Sequence, residues 1–178
     1  MVKIFIAVLV VTIALIIVFQ VLDPSIGIEN APAETTLVDE TNTISVSISG
    51  EITHPGTYLM EPSKTLGDLI EVSGGVTSNA DDLAFDTSYL LQDTYTFYIA
   101  PKYDNNDVCS MSPIIKVNVN AADSETLQSV NGIGATVANS IVNYRASNGL
   151  FGRLEDIKNV SGIGNATFEK VKNYLTLR

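Results

Sequence analysis

The segment Val130-Asn131-Gly132-Ile133-Gly134 returns thirty residues later as Val160-Ser161-Gly162-Ile163-Gly164, and the match continues on both sides. Leu127 pairs with Ile157, Ala138 with Phe168, Ile141 with Val171, Asn143 with Asn173 and Tyr144 with Tyr174. Agreement at apolar, glycine and tyrosine positions marks an internal structural repeat. Each unit predicts helix, tight turn, helix, with Ile133 or Ile163 plugging the hairpin. Asp123 is placed to cap a helix carrying Leu127 and Val130. Asn118 and Asn120 in VNVNAAD are placed to fix the entry into that helix by side-chain hydrogen bonds to backbone.

A Gly-Ile-Gly turn carries its chemistry in the main chain. One glycine permits a backbone conformation closed to most residues, and both keep side chains away from whatever approaches. Where such a turn opens a helix, the unpaired amides and the positive end of the helix dipole face outward together, which suits an anion such as phosphate. Neither turn has the lysine of a P-loop, and neither has the third glycine and preceding strand of a dinucleotide fold. A hairpin that packs only protein is the plain alternative for one copy. Two copies in register point to a nucleic-acid backbone, gripped without reading bases.

The charge is unevenly placed. The formal net charge is -10, and between residues 20 and 115 fifteen acids face only Lys64 and Lys102. From Lys116 onward seven Lys and Arg face five Asp and Glu. This asymmetry predicts separate modules with different partners. Ile4 to Leu22 contains no charge, which predicts an uncleaved transmembrane anchor of residues 1–22 rather than a signal peptide. Lys3 and the amino terminus then stay inside and all later residues lie outside the membrane. A lone Cys109 cannot form an internal disulfide. Sequons at Asn159 and Asn165 fall beside the second turn, where a sugar would smother it, which favours a bacterial surface.

Residues 23–43 read as a flexible acidic linker. From Ile44 the pattern is that of a small α+β, β-grasp-like unit. Ile44, Val46 and Ile48 alternate as in a half-buried strand, and Tyr58-Leu59-Met60 resumes one after the turn GEITHPG. Leu66, Leu69, Ile70 and Val72 fall at helical spacing before Gly74-Gly75, and Tyr95, Phe97 and Ile99 form a last strand. His54, the single histidine, lies in a Pro-Gly turn with no second ligand near it in sequence, and reads as a turn residue.

The order strand, HPGTY turn, TLGDLIEVSGG helix and closing strand resembles the SLBB family over residues 44–103, with Gln92-Asp93-Thr94 where many members have a Gly-containing turn. Members bind soluble ligands or self-associate at surfaces. After a linker of residues 104–116, the block 117–178 matches the tandem helix-hairpin-helix fold and resembles the C-terminal domain of the ComEA family. The carrying motifs are VNVNAADSETLQSVNGIG, ANSIVNYRASNGLFGRLEDI and NVSGIGNATFEKVK. The resemblance implies a membrane-anchored, extracytoplasmic receptor of naturally competent bacteria, with a Gram-positive order of modules. Such a receptor binds double-stranded DNA without sequence specificity and feeds it to channel proteins. No cofactor, metal or catalytic site is expected, and the resemblance leaves both ligand binding and self-association as a homo-oligomer open to the SLBB-like domain.

Carried over by position, the amides of Gly132, Ile133, Gly134, Ala135, Gly162, Ile163, Gly164 and Asn165 hold phosphates. Thr136, Asn165 and Thr167 add hydrogen bonds, and Arg145, Lys170 and Lys172 supply charge. Family members often carry lysine just after each turn, where this chain has Thr136 and Ala166, so weak binding with a shallow salt dependence is expected. Phe151 reads as a core plug between the repeats, not a base-stacking ring. No cluster of Asp, Glu and His falls in one motif, which argues against a nuclease. The alternative reading is a surface adhesin or scaffold whose helical pair docks a protein.

Overall fold

The computed structural model describes residues 42–104 and 113–178. The anchor, all but the last two residues of the acidic linker, Cys109 and most of the linker 104–116 lie outside the described residues. Among the described residues no helix is long and apolar enough to cross a membrane.

The first domain begins with the alternating segment, which forms β1 (Ile44–Gly50) and buries Val46 and Ile48. It pairs antiparallel with β2 (Gly56–Met60) and parallel with β3 (Thr96–Ile99), so β1 is central in the order β2-β1-β3. The parallel pair requires a crossover, and α1 (Leu66–Val72) lies on it. Thr65 caps α1 through a reciprocal pair: it accepts from the Asp68 amide, and the Asp68 carboxylate accepts from the Thr65 amide at 2.8 Å. That pair holds the Asp68 carboxyl below the usual range, chiefly through the Thr65 backbone bond. Leu66 and Leu69 turn inward onto Val46, Ile48, Phe97 and Ile99. A fully buried aliphatic side chain contributes roughly 1.5–3 kcal/mol relative to exposure. The observed architecture is therefore the α+β unit that the pattern predicts. His54 serves its turn: its main-chain carbonyl accepts from the Tyr58 hydroxyl at 2.7 Å, and its ring packs against Gly74.

The second domain consists of β4 (Val117–Asn118), α2 (Ser124–Leu127), α3 (Ala135–Asn148), a 3₁₀ helix (Leu154–Asn159), α4 (Asn165–Val171), a 3₁₀ turn (Lys172–Tyr174) and β5 (Leu175–Thr176). The short strands β4 and β5 pair in parallel and bring the two ends of the domain together. Repeat partners are buried alike: Leu127 with Ile157, Val130 with Val160, Ile133 with Ile163, Ala138 with Phe168 and Ile141 with Val171. The leading helix of each unit is shorter than the pattern predicts. In the first it is a single turn capped by Asp123, whose carboxylate accepts from the Thr126 amide at 2.7 Å. In the second it is 3₁₀, with i to i+3 bonds such as Asp156 N–H to the Arg153 carbonyl.

Asn118 accepts from the Asn120 and Ala121 amides, as expected of an entry turn. Asn120 does more, because it donates to the carbonyls of Phe151 and Leu177 and accepts from the Phe151 amide. It thereby ties the start of the first repeat to the approach to the second and to Leu177, just after β5. Phe151 is buried and stacks on Tyr144 at 5.2 Å between centroids, the core role expected of it.

The expectation of separate modules meets a different arrangement. Ala84 and Ala100 of the first domain belong to the core of the second. Main-chain amides of Leu177 and Arg178 donate to the Leu83 carbonyl, and Lys116 pairs with Asp81 at 2.6 Å in a buried ion pair. Burial holds the Lys116 ammonium pKa below its ordinary value, with Asp81 opposing that shift. The described residues lie within one compact unit, Asp39–Arg178.

Candidate nucleic-acid interface

The two turns share one geometry. Gly132 and Gly162 have φ of +109° and +93°, in the left-handed region that favours glycine. In each turn the isoleucine amide bonds back to the valine carbonyl three residues earlier, Ile133 to Val130 at 2.9 Å and Ile163 to Val160 at 3.0 Å. Ile133 and Ile163 are buried, so these side chains anchor the turns and leave only their main chain to face a ligand.

Gly134 and Gly164 are the N-caps of α3 and α4, in extended backbone with φ of -85° and -92°. Neither cap makes a side-chain hydrogen bond, so the first amides of both helices lack the usual partner. A Cβ on Gly134 or Gly164 would meet nothing within 4 Å. The space before the bared amides is therefore open in both turns. Ala135, Thr136, Gly162, Gly164 and Asn165 are exposed, and Thr167 is half-buried.

The turns are held to each other through the opposite helix. A Cβ on Gly132 would come within 3.1 Å of Val171 Cγ1, and within 3.9 Å of the Lys170 Cβ. Lys170 is exposed, and its Cβ places it beside the first turn.

Arg145 and Lys172 lie elsewhere. Both turns border the start of α3, at Gly134 and at Val137, whereas Arg145 is in its last turn. At about 1.5 Å per residue, the eleven residues from Gly134 place it roughly 16 Å away. There its guanidinium donates to the Val119 carbonyl at 2.6 Å and complements the helix C-terminus. Lys172 is directed to the first domain, with its ammonium 4.0 Å above the Tyr98 ring and paired with Glu169. Tyr98 donates its hydroxyl to Asn173 at 2.6 Å, and burial pushes its pKa up to about 12, so it stays a neutral donor. The family resemblance places these two cations around the turns, whereas packing engages Arg145 with Val119 and Lys172 with Tyr98 and Glu169.

Lys158 is the cation that sequence reasoning missed. It ends the 3₁₀ helix just before the second turn, with its ammonium 5.2 Å from the Phe168 ring. Its repeat partner is Gln128, so the cation stands before the second turn only. The structure thus provides one cation near each turn, Lys170 and Lys158. Among the described residues no group of three His, Cys, Asp or Glu side chains could hold a metal.

Comparison with known proteins follows the same division. Residues 112–176 match the helix-hairpin-helix motif model and residues 45–85 match the SLBB domain model. The chain is 36% identical over 150 residues to ComE operon protein 1 of Bacillus subtilis, spanning 79% of this chain and 73% of that protein. It is 46% identical over 56 residues to an uncharacterized protein of Haemophilus influenzae, covering 31% of this chain and 50% of that one. A 68-residue match, 40% identical, links it to human endonuclease/exonuclease/phosphatase family domain-containing protein 1, but spans only 12% of that protein. So short a match transfers nothing of the activity in that name.

Proposed function

The chain belongs to the ComEA family of competence DNA receptors, and from that premise we propose that it binds double-stranded DNA without regard to sequence, through phosphates held at its two hairpin turns, for uptake in natural transformation. The observation that carries this reading is the pair of equivalent turns, each with a left-handed glycine, an uncapped helix start and open space in front. Bared amides donate hydrogen bonds to a phosphate of any nucleotide, which positions the protein without base readout. Thr136, Asn165 and Thr167 stand within the same first turns and add donors, while Lys170 and Lys158 supply the charge.

The uncharged stretch Ile4 to Leu22 supports a single membrane anchor, with the described domains outside the cytoplasm and the acidic segment 23–43 as a spacer. Delivery to a channel and self-association through the first domain follow from the family alone. The chain acts as a receptor in this scheme, with no reaction assigned to it.

The direct experiment is a titration of the full chain with duplexes of unrelated sequence at several salt concentrations. Similar affinities are expected for all duplexes, weakening as salt rises with a log–log slope of about -0.9 per phosphate neutralised. Absence of binding at low salt would remove the reading, and a strong preference for one sequence would remove its backbone-only basis.

A further inference from the structure

Arg153 leaves the helical domain and enters an aromatic box on the first. Tyr89, Tyr95 and Phe97 stand with ring centroids 5.9–6.3 Å apart, two of the three pairs edge to face. The Arg153 guanidinium carbon lies 3.5 Å from the Tyr95 centroid and 5.8 Å from that of Phe97. Its Nε pairs with Asp156 at 2.7 Å and its Nη1 donates to the Thr96 carbonyl at 3.3 Å. Only 14% of the side chain is exposed, so a planar cation stacked on a ring is here largely desolvated, where such contacts are strongest. The preceding Gly152 is pressed against the box, since a Cβ there would lie 2.2 Å from a Tyr89 ring carbon.

The location of this contact gives it a consequence for binding. Arg153 precedes the 3₁₀ helix that leads into the second turn, and Asn173, held by Tyr98, follows the helix that leads out of it. The first domain therefore grips both open ends of the hairpin. Its turn, Gly162 to Asn165, lies at the other end, about 10 Å away along the seven residues of α4. The gripping domain is acidic, with nine Asp and Glu against Lys64 and Lys102 over residues 42–104. Held at the base of the hairpin, that charge stays behind the surface that meets DNA.

We propose that Arg153 is a positioning residue for DNA binding: seated in the box formed by Tyr89, Tyr95 and Phe97, it holds the acidic domain at the base of the second hairpin, away from the phosphates at its turn. The inference rests on the DNA-binding reading above. Without this anchor the domains remain joined through their shared core, the Lys116–Asp81 pair and the Tyr98–Asn173 bond. The face of the acidic domain at Tyr89, Tyr95 and Phe97 is then no longer fixed at the base of the hairpin, and its charge can approach the nucleic acid more closely and repel it. Repulsion between solvent-exposed charges is largely screened beyond about 10 Å at 0.1 M salt, so the penalty depends on ionic strength in a way that a damaged turn does not.

The test is a duplex titration of the full chain across salt concentrations, comparing wild type with Arg153→Ala, Arg153→Lys and Tyr95→Leu. Arg153→Ala and Tyr95→Leu are expected to bind several-fold more weakly at low salt, with the deficit closing as salt rises. Arg153→Lys, which keeps a cation for the ring but loses the planar stack, is expected to recover part of the affinity. Tyr95→Leu leaves the helical domain's own sequence intact and so separates lost positioning from misfolding of the turns. Wild-type affinity in Arg153→Ala and Tyr95→Leu at every salt concentration would overturn the role of Arg153 alone. So would a deficit that persists at high salt and is not relieved by lysine. A wild-type chain that binds no DNA would remove the function together with this inference.

Discussion

Val137, in the first turn of α3, covers Gly162 of the second hairpin: a Cβ on that glycine would lie 3.1 Å from the valine Cγ2. Val171 covers Gly132 of the first hairpin at the same distance. Each turn is thus braced by the other repeat, and the distance between the two turns is set by packing, not by a loop. Rigid spacing of this kind lets two weak contacts act together on one backbone.

Alanine at Gly132 or Gly162 must adopt a left-handed backbone and displace the covering valine. The backbone strain alone costs about 1–3 kcal/mol. Alanine at Gly134 faces open space in ordinary extended backbone and should alter the core little. Thermal unfolding of the three variants is expected to show large losses for the first two and a small one for Gly134→Ala. Equal losses at all three positions would mean that the two glycines of a turn do not have separate jobs.

Glu155 is buried, and its Oε2 has no hydrogen-bond partner. Desolvation raises its pKa to about 7 from 4.5, with backbone bonding, Arg153 and Lys158 opposing and Asp156 adding to the rise. A carboxyl whose folded pKa lies above its unfolded value binds more protons in the folded state. Stability from this group is therefore highest below about pH 4.5 and is lost as pH rises toward 7. Glu155→Gln removes the titration without adding a buried charge. Unfolding measured at pH 5 and pH 8 should show the variant more stable than wild type at pH 8, with the gap narrowing at pH 5. A gap that is constant with pH would contradict this account of Glu155.

The turns lack adjacent lysines, because Thr136 and Ala166 occupy the second positions of α3 and α4 and both are exposed. Thr136→Lys and Ala166→Lys are expected to tighten duplex binding. Each should steepen the log–log salt dependence by about 0.9, one further phosphate neutralised. An unchanged slope would place those positions away from the DNA.

The repeat made much of this architecture legible. A separation of thirty residues identifies the buried partners and both turns, because a recurring hairpin must bury the same positions each time. Strand alternation and the helical spacing of Leu66, Leu69, Ile70 and Val72 likewise disclose the α+β unit, since those signals are local. Arg145 and Lys172 were misplaced for a physical reason: a long cationic side chain goes where packing offers a carbonyl, a ring or a carboxylate. Those partners, Val119, Tyr98 and Glu169, lie in other elements or on another face. The fusion of the two domains was hidden in the same way. Nothing near Arg153 in sequence announces Tyr95, which is fifty-eight residues earlier in another domain.

The central claim is that bared amides at two helix starts hold DNA. Aspartate at Gly134 and Gly164 tests it most directly, because aspartate is a favourable N-cap and its carboxylate would occupy the amides intended for phosphate. The measurement is duplex affinity of the full-length Gly134→Asp/Gly164→Asp double variant beside its thermal stability. The account predicts an unfolding temperature equal to or above wild type together with loss of DNA binding at low salt. A stable double variant that binds duplex DNA as wild type does would contradict it.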